Sequence, residues 1–421
     1  MKNTHVSLFG LVKGCIARLY EPIETQIDLC GLSEWAGVNF IQDSVVSIDP
    51  SLQQISLQNG PNIQYDVLSI DIGSASRGLS SIRGVKEFAI PTRPISNLIS
   101  RIEKEEMILK ESHCNVSKKI RVVVIGGGVA GIELALTMEG RWKELLRDVD
   151  FDVTLLNSGK GLLENEPTRC RDALQNILNA KNVQVRHECK VESIQNEMIQ
   201  LTNGEYIPYS HCIWATGAEA HQLSYEMGLK GININKDGWI RVGPTLQTVA
   251  HANVFAAGDC ASIESPAFET PPKAGVYAVR SGPILVKNIS AYLKENDSMI
   301  DYEPQDDFLK LIACGEGKAL GFRFGIPLEG KWVWELKDTI DKMFMDLFRV
   351  QIISDSDGEC DIITSQYDER VVKSEPVDPE QGAMLLQRTD DDVDFQHAWD
   401  ILRHMMDDEK YKEEVLNCVI K

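Results

Sequence analysis

The pattern of apolar and polar positions changes along the chain, and the changes mark its elements. Residues 120–125 (IRVVVI) form a β-branched, nearly continuous apolar run, as a strand covered on both faces requires. Glycines at 126, 127, 128 and 131 come next. An apolar-rich stretch then runs through Leu134, Leu136 and Met138 to about residue 147, and FDVTLL occupies 151–156. The pattern predicts strand, glycine turn, helix and strand, a βαβ unit. Residues 95–112 are charged and periodic and predict a connecting helix. Residues 240–258 predict a loop and strand returning to the first half. Residues 274–294 predict a helix interrupted at Gly282-Pro283, and 308–324 short strands. Val333, Leu336, Ile340, Met343, Phe344, Leu347 and Phe348 predict a helix with one apolar stripe. Charge and two prolines predict a mobile linker over 354–394, and 395–418 a final helix.

An internal repeat organises the first half of the chain. Residues 55–73 (ISLQNGPNIQYDVLSIDIG) and 199–217 (IQLTNGEYIPYSHCIWATG) align without gaps and share seven of nineteen positions. Each copy predicts short strands around an Asn-Gly turn, then a buried strand ending at glycine, Gly73 or Gly217. The repeat implies two related halves, each closing a nucleotide-binding fold. Gly217 lies 91 residues after Gly126, and the same count back from Gly73 falls before residue 1. Symmetry therefore predicts that the first half lacks its opening strand and glycine loop within this sequence.

Composition narrows the class. A chain of 421 residues suggests two to three domains. Its 63 acidic and 43 basic residues give a net charge of −20, which argues against a nucleic-acid surface. The charge is uneven: residues 351–421 hold 19 Asp/Glu and 7 Lys/Arg. The ten cysteines are scattered without a C-x-x-C pair or His cluster, so no metal site is expected and reduced, intracellular thiols fit. No apolar run reaches transmembrane length. No secretory signal opens the sequence, and the compartment is expected to be cytoplasmic or organellar.

In Gly126, Gly128 and Gly131, the first glycine makes the tight turn, the second admits a pyrophosphate and the third lets helix and strand pack. Asn157, at the end of the second strand, stands where an acid would favour NADH. It either bonds a ribose hydroxyl or serves as an ordinary turn residue. Glu133, in the first helical turn, either complements the helix dipole or approaches a nicotinamide. The strand of residues 254–257 ends in Gly258-Asp259, where Asp259 either caps the next helix or accepts from a ribityl hydroxyl.

Three motifs together resemble the two-dinucleotide-binding-domain flavoproteins, the pyridine nucleotide-disulfide oxidoreductase superfamily. They are GGGVAGIE at 126–133, ATG at 215–217, and the spacing from Thr248 through Phe255 to Asp259. YDVLSIDIG at 65–73, PTRPI at 91–95, AGVYAVRSGP at 274–283 and GKWVWELKDTID at 330–341 resemble its type II NADH dehydrogenase-like branch. They are most similar to the flavoprotein module fused to selenide, water dikinase in some organisms.

The resemblance implies an α/β fold of two Rossmann-like domains, an FAD domain interrupted by an NAD(P) domain. The expected boundaries are 1–117 (partial FAD domain with connecting helix), 118–244 (NAD(P) domain) and 245–305 (FAD domain, second segment). An interface region at 306–350 and an acidic tail at 351–421 complete the chain. By the resemblance, Gly126, Gly128, Gly131 and Gly217 hold the nicotinamide dinucleotide, and Glu133 approaches its nicotinamide. Gly73, Gly258 and Asp259 lie at FAD, and Lys273, Ala274 and Gly275 lead a helix beneath the isoalloxazine; Glu133 and Lys273 are the implied catalytic residues. The implied activity passes a hydride from NAD(P)H to FAD and electrons onward to a quinone-like acceptor. No transmembrane span is expected; peripheral membrane contact and a homodimer are compatible with it. The missing first fingerprint supports an alternative, a dinucleotide- or partner-binding protein without productive FAD.

Overall fold

The computed structural model describes residues 5–364 apart from residues 8, 113–118, 147, 148, 296, 297, 306, 324, 347, 349 and 355–359. The helix expected at 395–418, and most of the acidic tail, lie outside the described residues.

The elements that position the site are these, in chain order. Helix α1 (Phe9–Ile16) follows a short strand, His5–Ser7; β1 (Leu68–Ile70), β2 (Ile90–Pro91) and α2 (Leu98–Ser112) come after it. Next come β3 (Ile120–Ile125), α3 (Val129–Leu145), β4 (Phe151–Leu156), α4 (Thr168–Ala180), β5 (Val183–Arg186) and β6 (His211–Trp214). The last group is β7 (Val254–Ala256), α5 (Gly275–Leu293), β8 (Lys310–Gly315), β9 (Lys318–Arg323), β10 (Ile326–Gly330) and α6 (Lys331–Asp346).

The central sheet has the order β5-β4-β3-β6-β2, and every pair in it is parallel. This is the doubly wound α/β arrangement expected from the βαβ pattern. β3 is buried at five of its six positions, as its continuous apolar run requires. α3 is buried nearly all round because it packs on the sheet while also meeting α1 and β8.

The repeat folds as a repeat. Antiparallel meanders of Val45–Asp49, Gln54–Leu57 and Ile63–Gln64, and of Val191–Gln195, Met198–Leu201 and Tyr206–Pro208, precede β1 and β6. Equivalent residues take equivalent places: Ile55 pairs with Ile63, and Ile199 with Ile207. The closing strands differ in their surroundings. β6 lies between β3 and β2, whereas β1 pairs with β7 and, among the described residues, with no other strand.

The β1–β7 pair joins segments on either side of the central sheet's chain into one unit. Its core gathers Ile48, Ile70, Val254, Ala256, Cys260 and Tyr302. α1 does not join that core. Leu11, Val12, Cys15 and Ile16 are buried with α3, the β8–β10 meander and α6. Arg141 of α3 ties this contact down, donating to the Cys15 and Ile16 carbonyls (3.2 and 3.0 Å) and to Glu106 of α2.

Three elements depart from the pattern read in sequence. α5 runs unbroken through Pro283. The carbonyl that a residue-283 amide would meet belongs to Val279, which is exposed, so water can take the lost partner's place. In α6 the buried residues are Val333, Trp334, Lys337 and Met345, while Ile340 and Met343 are exposed. Lys337 turns inward because Asp341, one turn on, accepts its ammonium. Residues 360–364, within the expected linker, pair as a strand antiparallel to 350–354.

Candidate functional site

The first corner of the site forms where β3 turns into α3. Gly126 has φ +125°, a conformation side chains resist, and a Cβ there would stand 2.3 Å from the Ala215 carbonyl oxygen. A Cβ on Gly131 would stand 1.8 Å from the Gly126 oxygen, and one on Gly127 would stand 2.3 Å from Asn157 Oδ1. The protein's own packing requires these three glycines. Gly128 is different. It is the N-cap of α3, with φ −76°, and nothing lies within 4 Å of where its Cβ would be. Its bare backbone leaves open space at the helix N-terminus, where free amides and the helix dipole favour an anion.

The side chains around this corner are already committed to different degrees. Asn157 is buried; its Nδ2 donates to the Gly161 and Gly159 carbonyls (2.8 and 3.2 Å) and its Oδ1 accepts from the Gly159 amide (3.2 Å). It shapes the 157–161 loop beside Gly127. Glu133 is fully buried, ion-paired with Lys13 of α1, and accepts from the Ala313 amide of β8 (2.9 Å). Gly217 lies just beyond β6, and the guanidinium of Arg77 lies 3.7–3.9 Å from the place of its Cβ.

The second corner forms at the carboxyl ends of β1 and β7, where open α/β sheets bind ligands. Gly73 has φ +64° with open space around it, and Gly258 has φ +69° with Asp71 against it. Asp259 accepts from the Ser74 hydroxyl (2.7 Å) and lies 3.8 Å from an Arg93 nitrogen. Burial and the charge of Asp259 push the Asp71 carboxyl up. Lys273 donates to the Ala261 carbonyl and lies 4.4 Å above the Trp239 ring centroid. Burial pulls its ammonium down, and Asp259 opposes that shift. Ala274 caps α5, and Gly275 opens that helix with nothing near its Cβ position. Gly258, Asp259, Lys273 and Ala274, with Tyr277 and Tyr302, line a small cleft of about 20 Å³.

The structure thus brings Gly126, Gly128, Gly131, Asn157 and Gly217 to one corner, and Gly73, Gly258, Asp259, Lys273, Ala274 and Gly275 to the other. The polar groups of the second corner fit the ribityl and isoalloxazine half of a flavin: a carboxylate that accepts from a hydroxyl, and an open helix N-terminus. Among the described residues of 5–73, no glycine loop opens a helix for its ADP half. Sequence reading does not single out Lys13, Ser74, Arg77 or Arg93. Arg93 lies within the quoted PTRPI motif and Ser74 is the neighbour of Gly73; nothing in the sequence marks Lys13 or Arg77. Burial pushes the thiols of Cys260 and Cys314 up to about 11 and about 12, so neither is a reactive thiolate.

A parallel sheet with a glycine fingerprint, joined to a second related half with its own open corner, defines a two-site dinucleotide-binding α/β protein. The chain belongs to the pyridine nucleotide-disulphide oxidoreductase family, whose pattern matches residues 22–282. It is similar to ferroptosis suppressor protein 1 of Taeniopygia guttata, 26% identical over 323 residues that span 74% of this chain and 77% of the relative. The same-named protein of Xenopus tropicalis is 30% identical over 242 residues, 54% of this chain and 58% of that relative. Demethylphylloquinone reductase NdbB of Synechocystis is 27% identical over 303 residues, 70% of this chain and 71% of the relative. Among solved structures, NDH2 from Plasmodium falciparum in complex with NADH superposes with a TM-score of 0.69 at 15% identity. That match covers 81% of this chain and 91% of the other, and shows the shared fold.

Proposed function

We propose that this chain is an FAD-dependent NAD(P)H oxidoreductase that passes electrons from a nicotinamide through a flavin to a quinone-like acceptor. Gly128 carries the reading: its neighbours are glycines because the protein needs them, whereas its own missing side chain serves only an incoming group. The named relatives support the rest, one being a demethylphylloquinone reductase by name and one solved relative holding NADH. A nicotinamide and a flavin bound together supply two-electron hydride chemistry; the protein supplies position and electrostatics.

In this reading the α3 N-terminus and Gly128 seat the pyrophosphate of NAD(P)H. Asp259, already oriented by Ser74, accepts from a ribityl hydroxyl and exchanges the Ser74 hydroxyl for it. Lys273, held over Trp239 at the mouth of α5, would place a cation beside a bound flavin ring. Glu133 holds α1 and β8 against the fingerprint helix through Lys13 and the Ala313 amide. No helix among the described residues is long and apolar enough to cross a membrane. The described cysteines are free thiols, which fits a reducing compartment inside the cell.

The test is a visible spectrum of the purified chain, then anaerobic addition of NADH and of NADPH. A flavin band that bleaches with either donor supports the reading. A colourless protein that takes up no added FAD yet binds a dinucleotide leaves the second reading, binding without turnover. That β1, among the described residues, pairs with β7 and no other strand favours that alternative.

A further inference from the structure

We propose that Arg77 is a pyrophosphate ligand of the bound dinucleotide, contributed by the first half of the chain to the fingerprint of the second. The proposal rests on reading the β3–α3 turn as a dinucleotide site and goes on to name a residue of that site. Four hydrogen bonds pin Arg77 to the end of β6. Its amide donates to the Gly217 carbonyl (2.8 Å), and its carbonyl accepts from Trp214 Nε1 (2.8 Å) and Thr216 Oγ1 (2.6 Å). Its Nη2 donates to the Ala218 carbonyl (3.1 Å). Among the described residues only that last bond uses the guanidinium, so four of its five N–H donors face no described partner and can serve a ligand.

The place is specific. A Cβ on Gly126 would touch Ala215 and Thr216, so the pyrophosphate loop lies directly against the end of β6. Arg77 lies over the next residue, Gly217, which has no side chain to screen the guanidinium. A dinucleotide on this loop spans the sheet, its adenosine half toward β4 and its nicotinamide half toward β6. Arg77 is on the β6 side, and the α3 N-terminus lies between the two. Glu219, the acid beside this edge, accepts from the Gly78 amide (3.0 Å).

Charge gives the residue a reason to be arginine. The chain carries −20 overall, a field that opposes a dinucleotide's phosphates, and a helix terminus supplies only about half a charge. A preordered guanidinium adds a full charge and two parallel donors matched to phosphate oxygens. Its backbone is fastened to β6, and the bond from Nη2 to the Ala218 carbonyl sets one end of the guanidinium before a ligand arrives.

The experiment is calorimetric binding of NAD⁺, NADP⁺ and AMP to the full chain and to its Arg77→Ala and Arg77→Lys variants. AMP carries the adenosine-side phosphate alone. We expect Arg77→Ala to weaken both dinucleotides about tenfold or more, with Arg77→Lys between it and the parent. AMP affinity should change less than about twofold, and the salt dependence of dinucleotide binding should become shallower. Melting temperatures report folding, since both variants keep the Arg77 backbone bonds. Dinucleotide binding by Arg77→Ala at parental affinity overturns the proposal. So does an equal loss of AMP and NAD⁺ with a lowered melting temperature in both variants, which marks a structural role. A parent chain that binds AMP, NAD⁺ and NADP⁺ not at all removes the dinucleotide reading itself, and this inference with it.

Discussion

Lys13 and Glu133 form an ion pair in the interior, 120 positions apart in sequence, and the pair fixes an N-terminal helix against the fingerprint helix. Neither group reaches solvent to any extent: Glu133 is 0% exposed and Lys13 7%. Burial and the nearby charge of Lys337 pull the Lys13 ammonium well down, and Asp341 opposes them. Lys337 is itself held by Asp341 on α6, so α1, α3 and α6 share one small charge-balanced cluster inside an otherwise apolar core.

Such a pair is costly to half-remove. We expect Lys13→Met to destabilise the chain by about 3–5 kcal/mol, because it strands a buried carboxylate. Adding Glu133→Gln should recover most of that loss, since the amide oxygen still accepts from Ala313 and no charge remains. Denaturant unfolding of the parent, single and double variants checks this. A double variant no more stable than the single one would show that the pair is not what holds α1 down.

The glycines of the fingerprint separate packing from ligand binding. Gly131→Ala places a methyl 1.8 Å from the Gly126 oxygen, and we expect it to cost about 1–3 kcal/mol or more in stability. Gly128→Ala meets nothing in the protein, so beyond the weaker N-cap its stability should stay within about 1 kcal/mol of the parent. Its NAD⁺ affinity should nevertheless fall about tenfold or more, because the methyl occupies the space kept for the pyrophosphate. Melting curves and calorimetry on the same samples test both halves. Undiminished NAD⁺ binding by Gly128→Ala would place the pyrophosphate elsewhere.

How much of the fold and site is legible in sequence depends on the range of the interaction. The βαβ unit is readable because β3, the glycine turn and α3 are set by local burial and local sterics. The meanders are readable because Ile55 and Ile63, like Ile199 and Ile207, pair across only eight positions. The resemblance also carries Asp259 and Gly258 to the cleft. Lys13 is not legible, since its partner is 120 residues away and an isolated lysine on an apolar helix has no periodic signature. Arg77 sits in a turn whose role comes from contact with the other half. Pro283 misleads for the opposite reason: a local penalty is outweighed by the packing of a nineteen-residue helix. The stripe expected on α6 fails at Ile340 and Met343 because Lys337, paired with Asp341, takes the inward face.

Asn157 shows how a residue at a cofactor position can be spent on its own loop. Its amide group bonds Gly159 and Gly161, and its Nδ2 lies 3.2 Å from His187 Nδ1. Asn157→Ala should cost about 2 kcal/mol through those lost and unpaired groups. Asn157→Asp should cost more, since a carboxylate oxygen would then face two carbonyl oxygens. Thermal unfolding distinguishes the two variants. If Asn157→Asp is as stable as the parent, the loop does not depend on the Nδ2 donor.

The last expectation concerns acid. Glu106 of α2 is buried and receives bonds from Arg141 Nη2 (2.9 Å), Trp142 Nε1 (2.9 Å) and Arg18 Nη2 (3.3 Å). Burial pushes its carboxyl up, but the Arg141 hydrogen bonds and charge, with Arg18 and Trp142, outweigh that and hold it below the ordinary value. Proton binding sets the sign. An unfolded-chain glutamate titrates near about 4.3, and the folded one titrates lower, so the unfolded chain binds the proton more readily in between. The pair's contribution is therefore fully present above about pH 4.3 and is lost as pH falls through the lower folded-state value. Glu106→Gln should lose about 3 kcal/mol at pH 7, because it leaves Arg141 buried without its charge partner. It should also flatten the acid limb, so that parent and variant converge as pH falls through the folded-state value. Denaturant midpoints at several pH values between neutrality and that acid limit measure this directly. Parallel acid limbs for the two proteins would show that Glu106 is already protonated, or already unpaired, in the folded state, and that α2 is anchored to α3 by packing alone.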